Sequence, residues 1–212
     1  KYALDTALPL KKTVTELNSE QKEKYYDVKV ESGFGYAEKT EFAEKTKDSG
    51  FTDTESGIIA HKILQLYDFN SSASLSEQID KMISGGIIIK TDLEKVNVAR
   101  LEKALNSEQL KSLKGKTLLK EQEFLVNVPA KFIDGFSGEE NVLLQGVIDL
   151  VAIDGDNAQI IDYKYSALNT NSLKKRYSRQ LSLYAYATEK VLGINVRDKI
   201  LVNIFSGEII NI

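Results

Sequence analysis

The sequence predicts a mixed α/β fold, in which a sheet is covered by helices, and three features carry that prediction. Apolar runs separated by turn sequences predict three successive antiparallel strands, at about 117–130, 142–153 and 158–164. Apolar residues at helical spacing predict a long amphipathic helix over 172–192, which Gly193 ends. A short apolar run predicts a closing strand at 199–205.

A block of helices is expected before the strands. Residues 54–69 contain an apolar stripe at helical spacing, and the region 75–113 reads as two or three further helices. The polar first 50 residues are expected to be a connecting segment, with a short strand or helix entry at 13–17. The folded domain is therefore expected to span residues 51–212, with the helical block at about 75–113 inserted before the three antiparallel strands.

The composition excludes several classes of site. The 212 residues include no cysteine, which excludes disulfides, thiolate zinc sites, cysteine-ligated iron–sulfur clusters and a cysteine nucleophile. No apolar run approaches the roughly 18 residues of a membrane span. A net charge of −3 argues against a general nucleic-acid-coating protein. The chain opens at Lys1 and its only methionine is Met82, so it is expected to be a piece of a longer polypeptide.

The most informative stretch is the hairpin 145–164, where Asp149, Asp162 and Lys164 interrupt apolar strands. A charge in a buried strand is costly unless it is paired or bound to a metal. Because side chains alternate along a strand, Asp162 and Lys164 share a face, and Asp149 can face them from the neighbouring strand. Two carboxylates suit Mg²⁺ or Mn²⁺, and an ammonium can position a water. A cross-strand ion pair on a solvated hairpin face is the alternative.

Other candidates are less specific on their own. His61, the only histidine, falls within the helix expected at 54–69, and a lone helical histidine usually has no ligand role. A first basic cluster is expected to be a solvated helix face; it comprises Lys111, Lys114, Lys116 and Lys120. A second follows the hairpin with no acid among residues 167–188, which favours contact with phosphates; it comprises Lys174, Lys175, Arg176 and Arg179.

Five short motifs come in a fixed order along the chain. They are Gly57-Ile-Ile-Ala-His61, Glu121-Gln-Glu-Phe124, Gln145-Gly-Val-Ile-Asp149-Leu, Asp162-Tyr-Lys164 and Tyr177-Ser-Arg-Gln180-Leu-Ser-Leu-Tyr184. This series resembles the RecB-type branch of the PD-(D/E)xK nuclease superfamily, and within it the nuclease domain of AddA-type helicase–nuclease proteins. The resemblance runs from about residue 13 to the end. It implies a restriction-endonuclease-like core, with a mixed central sheet flanked by helices.

The resemblance also implies a role for each matching residue. The implied ligands of Mg²⁺, or of Mn²⁺, are His61, Asp149, Asp162 and the backbone carbonyl of Tyr163. Lys164 would orient or activate the attacking water, and Glu121 stands at the family's acidic position. Glu123 does not match that position and is expected to be structural. Gln180 and Tyr184 match a Gln-x-x-x-Tyr motif that helps to place the DNA strand; without the resemblance they are ordinary residues of an amphipathic helix.

The expected function is that of a Mg²⁺-dependent DNA exonuclease domain, which processes double-strand ends for recombinational repair in the bacterial cytoplasm. It would cut the unwound single strand, with a helicase region in the same polypeptide and an AddB-type partner subunit. The family usually continues Asp-Tyr-Lys-Thr-Asp, whereas Tyr165 and Ser166 follow here, so a local contact is expected to differ. The alternatives are a non-catalytic DNA-binding or scaffold module and a free-standing endonuclease.

Overall fold

The computed structural model describes residues 11–19, 53–132 and 140–212. Within these ranges the strands are β1 (Lys11–Thr13), β2 (Thr117–Pro129), β3 (Asn141–Asp154), β4 (Asn157–Lys164), β5 (Asn195–Asn203) and β6 (Glu208–Asn211). The α-helices are α1 (Val14–Ser19), α2 (Asp53–Leu66), α3 (Leu75–Ser84), α4 (Val98–Leu105), α5 (Glu108–Lys111) and α6 (Thr170–Leu192). Two short 3₁₀ helices span Lys90–Lys95 and Ala130–Phe132. The sequence also predicts a turn or loop at 33–36 and a hairpin loop from Asp134 to Asn141. The first, and residues 134–139 of the second, lie outside the described residues.

The strands form one mixed sheet in the order β1-β3-β4-β5-β6, with β2 also paired to β3. The β2–β3, β3–β4 and β5–β6 pairs are antiparallel, whereas β1–β3 and β4–β5 are parallel. One edge of β3 pairs with β2 along most of its length. The other edge is divided between β1, at residues 143–145, and β4, at residues 150–154. Residues 146–149 of β3 therefore face a gap between two partner strands.

Helices cover both faces of this sheet, as the sequence predicts. On one face, α2 to α5 share an apolar cluster with Leu150, Ile161 and Val202. On the other face, α1 and α6 share a cluster with Ile148 and Ile160. Since two layers of helix enclose the sheet, the predicted mixed α/β fold with a helical block before the strands is confirmed.

The described part of the N-terminal segment belongs to this sheet. β1 pairs with residues 143–145 of β3, and the first turn of α1 buries Val14 and Leu17 against the α6 side. The strand or helix entry expected at 13–17 is thus present, as a strand followed directly by a helix. The domain boundary near residue 50 stays a prediction.

The ends of α6 are set by local sequence signals, whereas the start of β5 is set by pairing with β4. α6 begins after Asn169, whose Oδ1 accepts a hydrogen bond from Ser172 N at 3.0 Å, and ends at Gly193 with φ of 68°. The predicted helix is confirmed. The closing strand starts earlier than predicted, because β5 begins at Asn195 by pairing with β4, and Ile204 already lies in the turn to β6.

The first basic cluster does not form one helix face, so that prediction was wrong. Lys111 lies on α5, but Lys116 Nζ donates to Gln159 Oε1 at 2.9 Å. Lys120 is half-buried within β2, and its Nζ donates to the carbonyl oxygen of Tyr67. These lysines tie the helical block to the sheet. In the part of the chain that the structure describes, none of the helices has both the length and the apolar character that a membrane crossing needs.

Candidate metal centre

Three acidic residues stand at one level of the sheet, on three adjacent strands. The β2–β3 ladder skips Glu121, which stands opposite Asp149 in its register. The β3–β4 ladder ends at the Leu150–Ile161 pair, one step before Asp149 and Asp162. The strand register therefore brings Glu121, Asp149 and Asp162 side by side where the two ladders are interrupted.

Asp149 takes over the hydrogen bond that the backbone of β3 no longer makes to β4. Tyr163 N donates to Asp149 Oδ2 at 2.6 Å. Meanwhile β4 remains paired with β5 as far as the Lys164–Asn203 pair. β3 and β4 therefore separate as a fork beyond the Leu150–Ile161 pair. The Asp149 carboxylate lies at the branch point and accepts a hydrogen bond from Tyr163 N.

Glu121 has a backbone conformation that glutamate rarely adopts. Its φ is 48°, in the left-handed region, and such strain typically costs about 1–3 kcal/mol. Leu119 and Phe124 are an odd number of residues apart, yet both contact the apolar cluster on the α6 side. The alternation of β2 therefore shifts at Glu121, as that of β3 shifts between Ile148 and Val151. Glu121 and Asp149 thus lie where the alternation of side chains shifts in both β2 and β3.

α2 carries His61 to the open end of the fork. The buried neighbours Ile59 and Ile63 anchor the helix in the core, and His61 Nδ1 lies 3.8 Å from Asp149 Oδ2. The imidazole also meets the Tyr163 ring edge to face, with centroids 5.9 Å apart. Burial, followed by the charge of Lys164, lowers the pKa of His61 to about 4, although a third of its side chain remains exposed. The neutral imidazole that a metal requires is therefore the form present at neutral pH.

Asp162 and Lys164 share a face of β4, as predicted, and form an ion pair. Lys164 Nζ lies 3.2 Å from Asp162 Oδ1 and 3.0 Å from Asp162 Oδ2. Burial raises the pKa of Asp162 to about 7, an effect that Lys164 opposes and Asp149 reinforces. The Lys164 ammonium also lies 5.1 Å from the centre of the Tyr177 ring on α6. The Lys164–Asp162 pair is thus largely buried, and it contacts α6 through the Tyr177 ring.

Glu121 adds a third carboxyl to the same electrostatic neighbourhood. Burial first, and the charge of Asp149 second, raise the pKa of Glu121 to about 7, while Lys164 opposes the shift. Raised pKa values on neighbouring carboxyls mean that their negative charges repel one another in a poorly solvated place. A bound divalent cation would relieve that repulsion.

The residues present fit a divalent ion. Carboxylates and a neutral imidazole are suitable donors, and the buried Asp162 Oδ2 makes an ion pair with Lys164 but accepts no hydrogen bond. The backbone of Tyr163 also acts on the imidazole of His61 and partly opposes the lowering of its pKa. Among the described residues, no three histidine, aspartate or glutamate side chains are already gathered as around an ion. Asp162 is instead paired with Lys164.

The Gln-x-x-x-Tyr pair of α6 lies inside the protein. Gln180 is 4% and Tyr184 5% exposed, and Gln180 Nε2 donates to Tyr184 Oη at 2.8 Å. The Tyr184 ring meets Phe124 edge to face at 5.9 Å. Burial is the largest cause of a raised Tyr184 pKa, and the charge of Asp162 adds to it. Both residues therefore lie beneath the acidic cluster, and their role in placing DNA stays a prediction.

The second basic cluster is divided by burial. Lys174 and Lys175 are exposed near the start of α6. The Arg176 guanidinium lies 5.5 Å from the centre of the Tyr177 ring, and Arg179 Nη2 donates to Phe132 O at 2.7 Å. Two members thus face solvent, whereas the two arginines also contact the protein.

Two residues that matter to the site have no clear signal in the sequence. Lys120 holds the C-terminal end of α2 against β2, one residue before Glu121, and nothing in its polar surroundings predicts this contact. Gly146 lies within the motif Gln145-Gly-Val-Ile-Asp149-Leu, but the need for glycine there comes from residues that are distant in the sequence. A Cβ there would stand 2.7 Å from Phe124 Cζ and 3.2 Å from Val14 Cγ2. Only glycine leaves room for the Phe124 ring, which in turn contacts Tyr184.

Comparison with known proteins shows the family to which the chain belongs. The family model described as PD-(D/E)XK nuclease superfamily matches residues 32–203. An ATP-dependent helicase/nuclease subunit from Acetivibrio thermocellus is 28% identical, over 99% of this chain and 17% of that protein. The protein of the same name from Clostridium acetobutylicum is 28% identical over 96% of this chain and 17% of its own length. That of Alkaliphilus metalliredigens is 34% identical over 71% of this chain and 13% of its own length. The chain therefore spans less than a fifth of these relatives, and the resemblance expected from its motifs is confirmed.

Proposed function

Because the chain belongs to the PD-(D/E)XK nuclease superfamily, we propose that it is a Mg²⁺-dependent DNA exonuclease domain that acts beside a helicase. The observation that carries this proposal is the convergence at the fork between β3 and β4. There His61 Nδ1 lies 3.8 Å from Asp149 Oδ2, and Lys164 lies beside the buried carboxylate of Asp162. A fold selected for stability alone gains little from charges in this position.

The proposed ligands are His61, Asp149, Asp162 and the backbone carbonyl of Tyr163. When bound, Mg²⁺ or Mn²⁺ polarises a phosphodiester and lowers the pKa of a bound water. Tyr163 holds two of these ligands, the Asp149 carboxylate and the His61 imidazole, in place. Tyr163 N fixes the orientation of the Asp149 carboxylate, and Tyr163 packs against the imidazole of His61.

Lys164 is the proposed group that acts on the attacking water. In the structure its ammonium is within hydrogen-bonding distance of Asp162, between the carboxylates and the Tyr177 ring. From there it can hydrogen-bond a water and neutralise charge that develops on phosphate oxygens. Glu121 lies within the same electrostatic neighbourhood, where its carboxyl can take up or release a proton near neutral pH.

α6 supplies the proposed contacts with the DNA strand. Lys174 and Lys175 are exposed and can meet phosphates, which attract lysine without regard to sequence. Gln180 and Tyr184 are buried beneath the carboxylates. They would therefore shape the floor on which the strand is placed.

The larger setting is inferred from the relatives. They are named as subunits of an ATP-dependent helicase/nuclease, and this chain covers 13–17% of the lengths of the three described above. We infer that a helicase region in the same polypeptide delivers an unwound single strand, and that an AddB-type protein is the partner. The setting would be the processing of double-strand ends for recombinational repair in the bacterial cytoplasm.

The proposal is tested by strand digestion with Mg²⁺ in the full-length protein. Asp149→Ala and Lys164→Ala should each abolish digestion of a linear single strand. Asp154→Ala is the matched control, since this aspartate is exposed at the turn of the same hairpin and should leave digestion unchanged. If both site variants digest DNA like the wild type, the site assignment is wrong.

Two further outcomes distinguish the alternatives. DNA binding without digestion, together with no Mn²⁺ or Mg²⁺ binding by calorimetry, would identify a non-catalytic module. Cutting of a circular single strand as fast as a linear one, without a helicase region, would identify a free-standing endonuclease. The exonuclease proposal expects the circle to resist.

A further inference from the structure

Asn203, the last residue of β5, is a buried polar residue with only 1% of its surface exposed. Its ladder partner on β4 is Lys164, the proposed water-activating lysine. A buried amide is costly unless its donor and acceptor groups are hydrogen-bonded. Its partners therefore show what the side chain is used for.

Both ends of the Asn203 amide bond to the chain that follows Lys164. Asn203 Nδ2 donates to Ser166 O at 3.0 Å, and Asn203 Oδ1 accepts from Ser166 N at 3.3 Å. Oδ1 also accepts from Phe205 N at 3.2 Å. The side chain thus binds both backbone groups of Ser166, as a further residue of β5 would do in a continuing ladder.

This bonding matters because β4 has lost its other neighbour by this point. The β3–β4 ladder ends at Ile161, so residues 162–164 have a partner strand on the β5 side only. The regular β4–β5 pairing ends at the Lys164–Asn203 pair, and Ile204 N donates to Lys164 O at 2.8 Å. Beyond Lys164, the Asn203 side chain holds the backbone of Ser166, and the Tyr165 ring meets the Phe205 ring edge to face at 5.5 Å.

We propose that Asn203 is a positioning residue for Lys164. By bonding both backbone groups of Ser166, it fixes the end of β4 and hence the direction in which the Lys164 side chain leaves the strand. That direction brings the ammonium to Asp162 and to the Tyr177 ring. Asn203 touches neither metal nor DNA in this scheme, and the inference rests on the proposed nuclease function.

The test is Asn203→Leu in the full-length protein, which keeps the approximate size and removes all three hydrogen bonds. Digestion of a linear single strand should lose about tenfold to hundredfold in kcat, because small misplacements of a reacting group have effects of that size. The KM for the strand and the Mn²⁺ affinity from calorimetry should stay within twofold, since His61, Asp149 and Asp162 remain in place.

Ile204→Val is the matched control. Ile204 follows Asn203, is 1% exposed, and contacts the α2-side core instead of the Ser166 backbone. Its substitution lowers stability without touching the hydrogen bonds, so kcat should stay within twofold of the wild type. Rates are compared at a temperature where circular dichroism shows all variants folded. If Asn203→Leu does not fold, Asn203→Ser carries the same measurement.

The outcomes are distinct. Faster hydrogen exchange of the Ser166 and Phe205 amides with an unchanged kcat would overturn the positioning role. An equal loss of kcat in Ile204→Val would also overturn it, because the effect would then be one of stability. If the wild type fails to digest DNA with Mg²⁺ or Mn²⁺, it is the proposed function that fails.

Discussion

Lys164 Nζ lies 3.0 Å from Asp162 Oδ2, and that carboxylate is only 1% exposed. The ammonium therefore neutralises the acid that the family resemblance assigns to the metal. A divalent ion bound at the proposed site would compete with the lysine for the same oxygen atoms. Binding of the ion should release Lys164 towards the place where water and phosphate would lie.

Lys164→Met is expected to separate metal binding from cleavage. Digestion should fall by at least about a hundredfold, the size of effect seen when a charge-stabilising group is removed from an active site. Mn²⁺ affinity, measured by calorimetry, should be retained or tighter, because the competing cation is gone. Lys174→Met, which removes an exposed lysine of α6, is the control. Weaker Mn²⁺ binding in Lys164→Met would contradict the competition.

Metal affinity is expected to rise between pH 6 and pH 8. The pKa of the proposed ligand Asp162 is raised to about 7, and a carboxyl must lose its proton before it binds a cation. The pKa of the neighbouring Glu121 is also raised to about 7, so its negative charge, which attracts the cation, develops over the same range. His61, with its pKa lowered to about 4, does not compete for protons in this range. Calorimetry in buffers of different ionisation enthalpy should show protons released on binding near pH 6.5. Constant affinity from pH 6 to pH 8 would contradict this assignment.

The same carboxyls should make the metal-free protein less stable as the pH rises. Their pKa values are higher in the folded than in the unfolded chain, so their contribution is full below about pH 4 and is lost through about pH 7. His61 acts in the opposite sense. Its pKa is lowered from 6.5 to about 4, so its contribution to stability rises with pH between those two values. Thermal unfolding at pH 6 and pH 8 should therefore show a lower transition temperature at pH 8, which saturating Mg²⁺ raises.

Gly146→Ala should destabilise the chain by about 1–3 kcal/mol, the usual range for overpacking. The new Cβ would stand 2.7 Å from Phe124 Cζ, so the ring must move. Phe124→Leu should recover part of the loss, as a double-mutant cycle of urea unfolding would show. Val147→Ala, at the exposed neighbouring position, should change the free energy of unfolding by less than about 0.5 kcal/mol. Additive effects at 146 and 124 would refute the contact.

Tyr184→Phe should destabilise the chain by about 1–3 kcal/mol, because it removes a buried hydrogen-bond acceptor of Gln180 Nε2. Tyr186→Phe, at a half-buried tyrosine two residues further along α6, is the control and should be nearly neutral. If the pair also shapes the floor of the DNA site, Tyr184→Phe should raise the KM for the single strand more than it lowers kcat. An unchanged KM would limit the pair to a structural role.

Elements with a strong local pattern could be predicted from the sequence. The turn Asp154-Gly-Asp-Asn157 separates β3 from β4, and helical periodicity followed by Gly193 defines α6. Charges within apolar strands were enough to single out Asp149, Asp162 and Lys164. The start of β5 was not predictable, since its exposed Arg197 and Asp198 are held in the strand by pairing with β4.

The features without a sequence signal depend on contacts between residues far apart in the chain. Asn203 stands at the end of an apolar strand, and only the path of the chain after Lys164 gives its amide a use. Lys120 lies among other lysines in the sequence, although its partner is the carbonyl of Tyr67 at the end of another element. The left-handed conformation of Glu121 has no signal in Lys120-Glu121-Gln122. Such features require the register of the sheet to be known.

The conformation of Glu121 has a consequence for how this fold would change without selection for cutting. Its backbone is strained, its carboxyl is poorly solvated, and it repels Asp149. Glycine relieves all three penalties at once, so Glu121→Gly should fold more stably than the natural chain even as its catalysis fails. Descendants that kept the scaffold but abandoned hydrolysis should therefore lose this glutamate early. The cost of this backbone is one that a catalytic site can use and that a scaffold alone would not need.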